Sequence, residues 1–152
     1  MSFKVKLLLS ALVCICLATG CVRQTGGPTA SSIDSLAGAY LIRWTDGEPG
    51  DTFTVEQKNG VWHMSDQDDA VPMQIMAPAE IEEVIGAEAA SKAQCLEAFN
   101  ETTRVIVCVT KPGFTTTVRV DGPAPYSKEF ASKTGYFLYV DSIGIWDLEK
   151  LK

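Results

Sequence analysis

Short runs in which apolar and polar residues alternate recur along this chain, separated by turn residues. That period of two limits the fold more than any other feature. Residues 52–57 set Phe53 and Val55 against Thr54 and Glu56, Asn59-Gly60 follows, and 61–64 (Val-Trp-His-Met) resumes beyond it. Asn-Gly between two such runs predicts a tight hairpin, because a type I′ turn needs positive φ at both central positions. Residues 38–45 place Tyr40, Ile42 and Trp44 on one face and Leu41 and Arg43 on the other, and 46–51 is a turn-rich loop. Further along, 104–110 carries Val105, Val107 and Val109 opposite Ile106 and Cys108. A strand that is apolar on both faces is expected at the centre of the fold, covered on both sides. Residues 114–120, 136–140 and 143–148 complete the set, with turns at Pro112-Gly113 and Asp141-Ser142.

One segment has a different period. After Pro78 come Glu80, Glu82 and Glu83, with Ile81, Val84, Ile85, Ala89, Leu96 and Phe99 at roughly helical spacing. The acidic first turn suits a helix dipole and the Ala-rich middle favours helix, so one main helix is predicted over about residues 79–99, with Gly86 able to split it. Strands, helix and strands in that order predict an α+β domain. Its curved antiparallel sheet has about six to seven strands with the helix packed against it, and a small lipocalin-like β-barrel is the alternative.

The N-terminus carries an address. Lys4 and Lys6 precede an apolar run, Leu7 to Leu17, and Ala18-Thr19-Gly20 leads into Cys21. This is the layout of a secretory signal peptide, too short and wrongly flanked for a spanning helix. The small residues ending at Cys21 resemble the lipobox of bacterial lipoproteins. The resemblance implies cleavage of residues 1–20, a diacylglyceryl group on Cys21, and a membrane partner reached through that lipid. Val22 rather than Asp after the cysteine implies an outer-membrane location facing the periplasm. An ordinary cleaved signal and an uncleaved anchor are the other readings. Residues 21–35 are small and polar, a tether expected to hold the domain roughly 20 Å from its anchor, and 36–152 is expected to be a single domain.

The cysteines follow from that reading. Of five, Cys14 and Cys16 leave with the signal and Cys21 is lipidated, so Cys95 and Cys108 remain. An even pair in an exported domain favours a disulfide over two separately buried thiols. Lys4 and Lys6 are the only charged residues before Cys21, so the processed chain is more acidic than the −6 of the full sequence. Nucleic acid and anionic headgroups are poor partners for such a domain, whereas a basic protein suits it.

Candidate chemistry is sparse. His63 is the only histidine and no serine sits in a nucleophile elbow, so no catalytic residue, metal or cofactor is expected. Asp66, Asp68 and Asp69 lack the glycine and distal glutamate of a calcium loop and read as a solvated turn. Glu80, Glu82 and Glu83 read as a helix start, and the Asn100-Glu101-Thr102 sequon as incidental. The aromatics are the remaining resource: Phe137, Tyr139 and Trp146 are the candidates for an exposed binding patch. The expected function is a non-enzymatic protein-binding lipoprotein, an inhibitor or immunity-type protein. The alternatives are a structural accessory of an envelope or secretion assembly, and a small apolar ligand carrier.

Overall fold

The computed structural model describes residues 32–152, except Asp68 and Glu101 and the side chain of Asn100. The hairpin expected at Asn59-Gly60 forms, with φ of 52° and 81° at the two positions. Ten strands run in chain order through the described residues: β1 (Gly38–Arg43), β2 (Pro49–Lys58), β3 (Val61–Ser65), β4 (Ala70–Ile75), β5 (Gln94–Asn100), β6 (Thr103–Val109), β7 (Phe114–Val120), β8 (Tyr126–Ser132), β9 (Tyr136–Val140) and β10 (Gly144–Lys150). Eight of them close into an antiparallel barrel in the order β1-β10-β9-β6-β5-β4-β3-β2, and β7 and β8 pair separately as a hairpin inserted between β6 and β9. Two short helices, α1 (Pro78–Val84) and α2 (Ala87–Lys92), are inserted between β4 and β5.

The alternating runs therefore close on themselves as a mostly β barrel, in line with the alternative barrel reading, and the curved α+β sheet with one helix packed against it is corrected. The single helix over 79–99 is corrected as well. Gly86 at φ 125° divides it, and 94–100 is strand β5. The helical spacing of Leu96 and Phe99 also satisfies a period of two: Leu96 and Ala98 face the barrel interior, while Cys95 pairs with Cys108 on the outside. Seven residue pairs join β5 to β6, and the Cys95–Cys108 disulfide crosses that ladder. Sequence alternation also missed β4, whose Pro72 argues against a strand, and β8, where charged and small residues outnumber apolar ones.

Alternation gives the molecule two cores, one on each face of β6. The inner cluster includes Tyr40, Val55, Trp62, Leu96, Val107 and Leu148. The outer one collects Ile106, Cys108, Phe137 and Ile145 beneath Ile81 and Ile85 of the first helical segment and Phe114 and Phe130 of the hairpin. Phe137 lies against both hairpin aromatics, with ring centroids 5.9 Å from Phe114 and 5.5 Å from Phe130. Asp147 fixes the hairpin to the barrel by accepting the Ser132 hydroxyl at 2.7 Å and the Lys133 backbone N–H at 3.2 Å.

One end of the barrel is sealed by the chain that enters it. Ile33–Leu36 forms a 3-10 turn ahead of β1, so packing begins three residues before the expected start at Leu36. Leu36 is fully buried in the inner cluster, and the Tyr40 hydroxyl donates to its carbonyl at 2.8 Å. Lys150 Nζ donates to the Ser35 carbonyl at 2.6 Å and lies over the rings of Tyr40 and Tyr136. Gly38 makes room for that lysine: a Cβ there would sit 2.5 Å from Lys150 Cε, and its φ is 152°.

Candidate functional site

The barrel is filled at the sealed end and open at the other, as each strand's inward residues record. Burial falls in the same direction on all eight: Tyr40 to Ile42, Val55 to Phe53, Trp62 to Met64, Met73 to Val71, Leu96 to Ala98, Val107 to Val105, Leu138 to Val140 and Leu148 to Trp146. Tyr40, Val55, Leu96, Val107 and Leu148 are fully buried, whereas Ile42, Met64, Val71, Val105, Val140 and Trp146 keep part of their surface in solvent. The result is a cup of about 480 Å³ with a floor of Phe53, Ala98 and Leu138 and walls that include Ile42, Met64 and Val140. That volume lies within the range of small-molecule pockets.

The cup has one weak wall. Only Gln74–Glu97 and Ile75–Leu96 pair β4 with β5. Continued toward the mouth, that register would bring Pro72 opposite Phe99, and proline offers no N–H to a ladder. Val71 and Ala98, on the two sides of this seam, both line the cup.

The rim carries charge of one sign. Asp51 near the start of β2 and Asp66 and Asp69 from the turn between β3 and β4 are the ionisable residues that line the cup among the described residues. The turn is held internally: Asp66 accepts the Asp69 N–H on its carboxylate at 3.3 Å, and the Asp66 N–H donates to the Asp69 carbonyl at 3.2 Å. Sequence reasoning saw Asp66 and Asp69 as a solvated turn, which they are, but missed that the turn overhangs the barrel opening. Asp51 falls in the stretch 46–51 expected as a loop, but β2 already begins at Pro49. The signal that would have located all three was the direction of each strand, which fixes which loops share a pole.

The aromatic candidates do not form a common surface. Phe137 and Tyr139 point outward from β9 into the outer core and are buried there, so the hairpin and helices cover the face expected to bind. Burial raises the Tyr139 pKa, the carboxylates of Asp141 and Asp121 raise it further, and Arg104 opposes them. Trp146 points inward and is half-buried, with its ring edge-on to Trp44 at 5.4 Å. Cys95 and Cys108 are bonded, and both lie on the outer face, away from the cup. Cys21 lies outside the described residues, as does Asp68.

Other candidate groups are accounted for locally. His63 is half-buried on β3 with Nδ1 3.1 Å from the Val61 carbonyl. Glu80 accepts the Ala77 N–H at 2.6 Å at the start of α1, while Glu82 and Glu83 are exposed. Glu97 is buried on the outer face of β5 with Arg104 Nε 3.5 Å away, and that guanidinium lies 5.0 Å over Phe99. Among the described residues no three His, Cys, Asp or Glu side chains converge as metal ligands. A wider depression of about 750 Å³ between α2 and the β7–β8 hairpin is lined mainly by threonines and charged residues, a weaker apolar site than the cup. No helix among the described residues is long and apolar enough to cross a membrane. The sequence matches no family model and no curated protein, and no solved structure matches the fold.

Proposed function

We propose that this chain is a non-enzymatic binding lipoprotein of the bacterial envelope, anchored through Cys21, whose barrel mouth takes up a small apolar ligand. The observation that carries this reading is the graded interior, in which all eight strands lose burial toward the same pole and leave an apolar cup of about 480 Å³. Eight strands enclose an interior just wide enough to be filled by side chains or to hold one small ligand, as lipocalin-like barrels do. Here the inner half takes the first course and the outer half the second. The described chain enters the barrel at the sealed pole, opposite the mouth. An outer-membrane location facing the periplasm, implied by Val22, sets that mouth in the periplasmic space.

Titration with N-phenylnaphthylamine, an uncharged apolar fluorophore, tests the reading. Its emission rises on binding, and Val140→Trp, which places a large ring in the cup wall, removes most of that rise while the far-ultraviolet circular dichroism stays unchanged. No rise in emission with the folded wild-type domain overturns the proposal.

A protein partner at the same pole is the second reading. Trp44, Phe99 and Ile143 all lie at the mouth end and are 38%, 52% and 59% exposed, so they offer apolar contact area to a partner beside the acidic rim. An inhibitor or immunity-type protein would use this rim to hold a basic toxic enzyme. Affinity capture from envelope extracts at low and physiological salt recovers such a partner. Capture that Trp44→Ser/Phe99→Ser leaves unchanged rules out this rim as its seat.

A further inference from the structure

We infer that the mouth selects amphiphiles whose polar head is positively charged. The inference rests on the cup being a ligand site and adds the chemical class of the ligand. The apolar wall and the rim impose different requirements. The wall, from Ile42, Phe53, Met64, Leu138 and Val140, rewards an alkyl or aromatic body in proportion to the apolar area it covers. The rim decides what the exposed end of that body carries. Asp51 and Asp69 stand at opposite sides of the β2–β3–β4 stretch of the opening, Asp66 stands beside Asp69, and among the described residues no Lys, Arg or His lines the cup.

A cationic head at the mouth meets three carboxylates at the edge of a low-dielectric cup, where attraction is less screened than on an open surface. An anionic head of the same length meets the same three charges as repulsion, with no basic group within the lining to accept it. The processed chain's net negative charge, larger than the −6 of the full sequence, adds to the discrimination at long range. A neutral body gains only the apolar contribution, so the expected order of affinity is cation, neutral, anion.

The cup also accounts for why these acids sit where they do. Asp66 is committed to the turn through its hydrogen bond with the Asp69 N–H, so it supports the rim geometry as well as its charge. Asp51 and Asp69 are exposed and are the positions at which charge can be removed without cutting that bond.

The test displaces bound N-phenylnaphthylamine from the full mature domain with two competitors of equal chain length, decyltrimethylammonium and decyl sulfate, both below micelle formation. Three exposed rim charges contributing as surface ion pairs give the cation about a tenfold advantage over the anion. Asp51→Asn/Asp69→Asn narrows that advantage to roughly two- to threefold, whereas Glu82→Gln/Glu83→Gln, which removes the same charge from exposed sites on α1, leaves it at the wild-type value. Raising the salt concentration narrows it in the unmodified protein, an outcome that needs no variant to fold. Equal displacement by the two competitors overturns the selectivity while leaving the cup as a ligand site. A fluorophore that never binds overturns both.

Discussion

At the residue scale, Tyr40 shows how one side chain serves two ends of an argument. Its ring belongs to the inner core, 5.5 Å from that of Phe53, and its hydroxyl donates to the Leu36 carbonyl in the sealing turn. Burial raises its pKa well above the ordinary tyrosine value, and neighbouring Tyr136 raises it further. A raised folded-state pKa means that the native protein holds this proton after the unfolded chain has lost it. The contribution is therefore intact below about pH 10 and is lost as pH rises beyond it. Tyr40→Phe is expected to cost about 1 kcal/mol at neutral pH through the lost hydrogen bond, and to flatten the alkaline fall in stability. Urea midpoints measured at neutral pH and above pH ~10 check both effects. An alkaline limb as steep as that of the wild type shows that another group carries it.

At the scale of elements, legibility in the sequence depended on whether a segment's own pattern matched its final surroundings. Residues 104–110 read as a covered central strand, and β6 is one, lying between the inner core and the helix-hairpin layer. The hairpin at Asn59-Gly60 was legible because its turn chemistry is local. Residues 94–99 were misread because a short apolar run with spacings of three and four fits a helix and a two-sided strand alike. Pairing with β6, in a register that runs from Gln94–Val109 to Asn100–Thr103, decides between them. The site was less legible than the fold, since a cup is a property of barrel closure and no single strand contains it. Two adjacent strands carry the disulfide, and they are already joined by a seven-pair ladder, so its contribution belongs to this scale. Cys95→Ala/Cys108→Ala is expected to lower unfolding stability by about 3 kcal/mol, as read from denaturant melts. N-phenylnaphthylamine affinity should stay as it was, because the bond faces the outer core. A loss of affinity that parallels the loss of stability would instead tie the cup to the outer layer.

At the scale of the whole molecule, the inserted pieces explain how a small barrel remains closed and yet leaves one end open. The helices and the β7–β8 hairpin all cover the outer face of β5, β6, β9 and β10, so that wall is supported on two sides. The opposite wall, β1 to β4, relies on inner contacts and its ladders, with the two-pair seam between β4 and β5 at its margin. Large apolar side chains therefore back one half of the barrel from outside, while the other half has no such outer layer. The sealing turn has a mechanical consequence. Tension applied along the chain ahead of Ser32 does not load a strand first. It is borne by the Ser35 and Leu36 carbonyls, through their bonds to Lys150 and Tyr40, and by Leu36 in its socket. Such a pull would loosen that stopper before it unzipped any ladder, so the closed end of the barrel yields ahead of its wall.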